Sequence, residues 1–386
     1  MSSSPTILHG ITWNHTRGYL PLVAATQRFH ELHDGAVDIR WEKRSLREFE
    51  ATPVDELAAA YDLMIIDHPF VGYAAASGAL LPLDRHLDSA FLEDQSKNSV
   101  GASHASYVWG GHLWALAVDA ATPVACWRQD VMEKLGLTVP ETWKDLIELA
   151  KRGHVELPAA PINCLMNFFS LCLAHGEAAA GSVERFISPD VGEAALDNLI
   201  TLGAACVRGG MERNPIQSYE FLLAPENSTV AYIPFTYGYS NYARRGYSAV
   251  PLMFGDVVSH SGSPLRTTLG GTGLAISATT AKRDWAVRFA RYAADPETQT
   301  TLACAAGGQP GHRRAWLDPE NNAASGNYFA ATLPALDRAW VRPRYNGYMA
   351  FQDTAGEVIH SAIAGRIGVP AALAEIDRTY RASLPQ

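Results

Sequence analysis

The sequence predicts an α/β protein built as two bodies, and three observations carry that expectation. The chain has 386 residues, too many for one ordinary hydrophobic core and suited to two domains of roughly 150 to 200 residues each. Apolar residues make up 47% and charged residues 18%, with 9 Trp, 15 Tyr and 13 Phe, enough to fill large cores and still line a cleft with rings. The N-terminal part alternates strand and helix, the pattern of a parallel sheet whose ligand-facing loops lie at the carboxyl ends of its strands.

Ile7 and residues 10–13 read as the first strand, after which Leu22, Ala25, Phe29 and Leu32 recur at helical spacing and Gly35 closes the helix. Val37, Ile39 and Trp41 alternate as a second strand. A helix is expected over residues 46–60. The run Leu63–Ile66 is apolar throughout and breaks at Asp67-His68-Pro69, the mark of a buried parallel strand that ends in a loop. Gly110-Gly111, flanked by Tyr107-Val108-Trp109 and His112-Leu113-Trp114, suits a two-residue hairpin turn because glycine accepts positive φ. The chain then crosses into a new body over residues 118–123.

Thr142 and Asp145 form a reciprocal helix start ahead of Leu146, Leu149 and Ala150. Residues 230–235 form an apolar strand. Asp295-Pro296 opens another helix, with Gly307-Gly308 past its end. The last third reads as three helices, carried by Leu333, Leu336 and Trp340, then Phe351, Ala355, Val358 and Ile359, then Leu373, Ile376 and Tyr380. Arg342-Pro343-Arg344 and residues 367–370 separate them.

Composition excludes several function classes. The net charge is -9 and no run of Lys or Arg is longer than a pair such as Arg244-Arg245 or Arg313-Arg314, whereas a nucleic-acid partner needs a basic footprint. No run of 18 apolar residues predicts membrane insertion. The five cysteines lack CxxC spacing and sit among apolar neighbours, as small buried hydrophobes do. HExxH and HxH are also missing, so neither a metal site nor a cofactor is expected. The first six residues lead straight into the first strand without the basic and apolar regions of a secretion signal. Localisation stays open on this reading: cytoplasmic as written, or extracytoplasmic if a signal has been removed.

Two segments carry a family resemblance. Residues 109–153, WGGHLWALAVDAATPVACWRQDVMEKLGLTVPETWKDLIELAKRG, resemble the extracellular solute-binding proteins of family 1, the carbohydrate-type receptors of ABC importers: a hairpin, a crossover, a strand with R-x-D-x-x-x-x-x-G, and P-x-T-W. Residues 269–315 resemble the family's return strand, its DPE-x-Q helix and its Gly-Gly-Gln-Pro ending. The resemblance implies a two-lobed fold of the periplasmic-binding-protein type (type II) with the ligand cleft between the lobes. Lobe one would comprise residues 1–118 plus 269–312, and lobe two residues 119–268 plus 313–386. An ABC permease is the partner implied, alongside a small-molecule ligand. The chain departs from the family in showing no signal or lipobox cysteine.

Candidate site residues follow from the rule that strand ends feed the crevice of such a sheet. After the first strand come Trp13, His15 and Arg17: a flat ring, an imidazole and a planar cation able to clamp a carboxylate or a hydroxyl pair. After the third come Asp67 and His68, of which Asp67 either meets ligand or caps the following helix. Asp119 and Thr122 lie where the chain changes lobes, and either touch ligand or order the crossover. Tyr237 and Tyr239 follow the strand at 230–235, and Arg344 and Tyr345 precede the helix near Met349, where the resemblance places another cleft wall.

Two functions are consistent with this constellation. One is a binding protein that closes on a small polar ligand, a sugar, sugar acid or similar molecule, for an ABC-type importer. The other is a cytosolic enzyme on the same scaffold, a lyase, hydrolase or transferase, with His15 as acid or base and Asp67 or His68 orienting it.

Overall fold

The structure, a computed structural model, describes residues 4–385, apart from the side chains of residues 50 and 51. Strands β1 (Thr6–Trp13), β2 (Val37–Arg44) and β3 (Leu63–Ile66) alternate with helices, as the apolar periodicities predict. The hairpin β4 (Val108–Trp109) and β5 (His112–Leu113) turns through Gly110 and Gly111 at φ 59° and 81°. Strands β6 (Leu116–Ala121) and β7 (Pro123–Trp127) are separated by Thr122 alone. They are followed by β8 (Tyr232–Tyr237), β9 (Met253–Gly255), the short pair β10 (Ser259–His260) and β11 (Ser263–Pro264), and β12 (Gly270–Ile276).

The first sheet has the order β2-β1-β3-β12-β6 and the second the order β8-β7-β9. Parallel pairing holds for β1 with β2 and β3. It fails for the rest: β12 runs antiparallel to both β3 and β6, and the second sheet is antiparallel throughout. The chain re-enters the first sheet from the second body, so β12 is not the product of a strand-helix-strand crossover and has no reason to run parallel.

The change of sheet falls at Thr122. Asp119, Ala120 and Ala121 still pair with Thr272, Gly271 and Gly270 in the first sheet, so β6 continues past residue 118. The Thr122 hydroxyl bonds Thr267 Oγ1 at 2.7 Å and donates to the Thr268 carbonyl at 3.0 Å, which clamps the outgoing and returning strands side by side.

The helix expected over 46–60 is two helices, Leu46–Ala51 and Val54–Ala60. Pro53 disfavours helical geometry in the residue before it, and Thr52 is extended at φ −71°, ψ 125°. The helix at 295 begins as one turn, Pro296–Thr298, and widens into a π-helix at Gln299–Ala303. There Gln299, fully buried, donates to the Ala117 carbonyl at 3.0 Å and accepts from His312 N–H at 2.9 Å.

The C-terminal third contains helices Tyr328–Asp337, Tyr348–Ile363 and Val369–Ser383, preceded by the short Arg313–Leu317 and Pro319–Ala324, which the apolar periodicity did not predict. Trp340 lies outside them and bridges Thr268 instead. The last two long helices join Pro161–Ala174 and Pro189–Ala205 around a core that includes Phe168, Phe186, Phe351 and Tyr380. In the first sheet all four residues of β3 are buried, each contributing on the order of 1.5–3 kcal/mol relative to exposure. Cys126, Cys164, Cys172 and Cys304 are buried and Cys206 half-buried, all as free thiols. Burial pushes the Cys304 thiol up to about 12, so these cysteines are packing residues rather than nucleophiles.

Candidate functional site

A cavity of about 80 Å³ lies where the ends of both sheets meet. Each wall has a structural reason. Trp13 is the last residue of β1, Arg17 sits in the first turn of the Thr16–Leu32 helix, and Asp67 directly follows β3. These are carboxyl ends of parallel strands, the positions a doubly wound sheet offers to ligands. Gly270, Gly271 and Thr272 open β12, while Tyr237 and Tyr239 close β8 from the other side. Asn163 and Met166 come from the first turns of Pro161–Ala174, and Arg342 and Gln352 from the C-terminal segment.

The glycines at the head of β12 are required. A Cβ on Gly270 would stand 2.5 Å from Tyr237 Cε1, and Gly271 has φ 98° with its backbone pressed against the Asp119 carbonyl. Neither position can carry a side chain without moving a cavity wall.

Electrostatics centre on two buried arginines. Arg17 donates from Nε and Nη2 to the two oxygens of Asp119 at 2.8 and 2.5 Å, and from Nη1 to the Gly238 carbonyl at 2.8 Å. Its guanidinium carbon lies 4.7 Å from the Tyr239 ring centroid and 5.4 Å from that of Trp13. Burial disfavours the Arg17 cation, but the Asp119 carboxylate outweighs it and its pKa rises above the ordinary value. Arg342 donates from Nη2 to Asp67 Oδ2 at 2.6 Å and from Nη1 to Gln352 Oε1 at 2.9 Å. Burial alone would raise the Asp67 carboxyl; Arg342 and then His68 overcome it and hold it well below the usual carboxylate range.

Of the residues expected at the site, Trp13, Arg17, Asp67, Tyr237 and Tyr239 line this cavity together. Asp119 stands behind Arg17 and is 5% exposed, with both oxygens engaged by the guanidinium. Thr122 is buried in the crossover clamp described above.

His15 is the N-cap of the first helix: its Nδ1 accepts from Arg17 N–H at 3.0 Å, and its Nε2 lies 3.4 Å from Tyr247 Oη. The ring stacks on Trp13 and meets Tyr239 edge-on. Burial, reinforced by Arg17, lowers its pKa to about 4. His68 is 1% exposed, its ring edge-on to Tyr107 and its Nδ1 3.2 Å from Asp67 Oδ1. Burial and Arg342 bring it to about 4 as well. Both imidazoles are neutral at pH 7 and engage different neighbours.

Arg344 and Tyr345 are elsewhere. Arg344 Nη1 donates to the carbonyls of Ala105, Ser106 and Val108, tying down the approach to β4. Tyr345 bonds Ser383 and borders a separate surface groove beside Phe70, Tyr73 and Met349. The cavity arginine of this segment is Arg342, and Pro343 parts the two. The pairing of one with Asp67 and the other with loop carbonyls is a long-range matter that their shared local sequence could not decide.

Arg342, Gln352, Asn163, Met166 and Phe49 were not anticipated as cavity walls. Asn163 had a readable signal: it is a polar residue in the apolar helix sequence PINCLMNFFSLCLA, and it is buried.

The arrangement defines a class of protein: an α/β binder that encloses a small molecule between two sheets, with rings and pre-paired charges as walls. A family model described as bacterial extracellular solute-binding protein matches residues 24–323, and the chain belongs to that family. Among solved structures it resembles the maltose-bound MalE3 of T. maritima, at TM-score 0.83 and 18% identity over 98% of this chain and 100% of that one. An ABC-transporter solute-binding protein of Agrobacterium radiobacter K84 in complex with ribitol matches at TM-score 0.81 and 19% identity, covering 99% and 100%. One of Thermotoga lettingae TMO bound with alpha-D-tagatose matches at TM-score 0.81 and 15% identity, covering 100% of both chains. At these identities the likeness establishes the two-lobed fold. Among the described residues no helix is long and apolar enough to cross a membrane, and no group of three or more His, Cys, Asp or Glu could hold a metal ion.

Proposed function

We propose that this protein is a receptor whose lobes close on one small polyhydroxylated molecule, a sugar or polyol, and present it to an ABC-type permease. One observation carries the reading: a single cavity joins the ends of both sheets and combines four rings, Trp13, Phe49, Tyr237 and Tyr239, with the polar groups of Arg17, Asn163 and Gln352. Rings stack on the apolar faces of a pyranose or alditol while amides and guanidinium groups meet its hydroxyls. Asn163 Oδ1 is a buried acceptor without a hydrogen-bond partner among the described residues, a cost that a hydroxylated ligand relieves. The ligands named for the related structures, maltose, ribitol and tagatose, are of this class.

The lobes proposed are residues 1–121 with 270–312, and residues 122–269 with 313–386, supported by the sheet change at Thr122 and the return at Gly270. Closure rests on contacts that link the first helix to the second body, Arg17 to the Gly238 carbonyl and Thr16 to Tyr247 at 3.0 Å. The enzyme reading draws no support from the site, because His15 Nδ1 is taken up in capping the first helix and His68 is 1% exposed within the core.

The test is thermal-shift screening against monosaccharides, disaccharides and alditols, followed by calorimetry on each hit. A ligand held at 100 times its Kd stabilises the folded state by about 2.7 kcal/mol, and NMR should show that it stays chemically unchanged. A panel without a hit overturns the receptor reading; a hit that is consumed by the native protein, and no longer by His15→Ala, replaces it with the enzyme.

A further inference from the structure

Two guanidinium groups in one small cavity would ordinarily suit an anion, since arginine is the preferred clamp for carboxylates and phosphates. Here both are already engaged. Asp119 takes the Nε and Nη2 face of Arg17, the fork a ligand carboxylate would need. Asp67 takes Nη2 of Arg342, and Gln352 takes Nη1. Arg17, Arg342 and Asp119 are each at most 5% exposed, and Asp67 is 9% exposed.

Both carboxylates are carried on held backbone positions and are hydrogen-bonded to the arginines they face. Asp119 lies in β6, in register with Thr272 of β12. Asp67 caps the turn after β3, accepting from His68 N–H at 2.8 Å. Freeing either arginine for a ligand anion would leave a buried carboxylate uncompensated. Arg44 does not alter the balance, because it lies over the Phe49 ring rather than in the cavity wall and donates to the carbonyls of Ile65 and Glu48.

We infer that the ligand is uncharged, and that Asp119 and Asp67 are the specificity residues that turn away sugar acids and sugar phosphates by cancelling the two cavity arginines. The inference rests on the receptor reading above and narrows it. The arginines keep N–H donors for hydroxyl groups: three of the five on Arg17 are used by Asp119 and Gly238. They bind as neutralised donors rather than as free cations. A ligand carboxylate would meet Asp119 or Asp67 one bond beyond each guanidinium, a like-charge encounter in a water-poor site.

The test uses matched pairs on the full chain: D-glucose with D-glucuronate, and D-glucitol with D-gluconate, by calorimetry at one ionic strength. The expected result is that a neutral member binds and its acid binds weaker by on the order of 100-fold. In Asp119→Asn or Asp67→Asn, the ratio should shift toward the acid by at least about tenfold, as one arginine is left uncompensated. Circular dichroism establishes which variants fold, and the wild-type ratio decides by itself if neither does. An acid that binds the native protein as tightly as its neutral parent overturns the inference alone. So does a folded Asn variant with an unchanged ratio. Where the panel's hits are other sugars or polyols, each hit is paired with its own uronic or aldonic acid and read the same way; a panel without any hit sinks the receptor reading and takes this inference with it.

Discussion

Arg342→Met removes the cation that compensates Asp67 while keeping a side chain of similar length. In the native protein the pair is 2.6 Å apart, with side-chain exposures of 4% and 12%. The variant therefore leaves a carboxylate in a site built for an ion pair, and Gln352 loses its donor. Breaking a buried pair by deleting one partner costs about 3–5 kcal/mol. With an unfolding entropy of roughly 2.1 cal/mol/K per residue, the chain as one cooperative unit should lose about 4–6 °C in Tm. The pH dependence separates this mechanism from simple loss of packing. Native Asp67 is held below its ordinary pKa, so its contribution is full above the unfolded value near 3.8 and is lost as pH falls below it. In the variant the carboxyl is buried without its cation, its pKa rises, and protonation relieves the penalty. Differential scanning calorimetry should accordingly show a gap between native and variant Tm that is widest near pH 7 and narrows toward pH 4.5. A gap below 1 °C at pH 7, or one that stays constant across that range, would refute the reasoning.

Gly271→Ala places a Cβ 2.4 Å from the Asp119 carbonyl at φ 98°; it should cost at least about 1–3 kcal/mol, read as a lower urea midpoint, and a variant as stable as its parent contradicts the packing described for β12. His15 and His68, held near 4 by burial and by Arg17 and Arg342 respectively, fold neutral against an ordinary value of 6.5. Their contribution is full above 6.5 and is lost as pH falls from there to about 4, with up to two protons taken up on unfolding near pH 5. Proton NMR should find neither ring titrating above pH 5 in the native protein, and a His15 or His68 midpoint near 6.5 rules this out.

Legibility in the sequence followed the range of the interactions. Trp13, Arg17, Asp67, Tyr237 and Tyr239 could be named because each follows an apolar strand whose end local periodicity marks, and strand ends are where an α/β sheet meets its ligand. The same reasoning placed Arg344 and Tyr345 beside them, and there it had nothing to choose with: Arg342 and Arg344 flank one proline and differ only in what the rest of the chain brings to them. The break at Thr52-Pro53 was written in the residues, since proline restricts its predecessor, but apolar spacing on both sides masked it.

The amino-acid order alone determined the α/β character, the first three strands, the glycine hairpin at Gly110-Gly111, and the reciprocal cap of Thr142 and Asp145. All of these rest on backbone preferences and side-chain spacing within a few residues. Tertiary structure decided which charges cancel and which polar groups face the cavity. Asp119 meets Arg17 across 102 positions and Asp67 meets Arg342 across 275, and a buried ion pair exists only once folding has removed both partners from water.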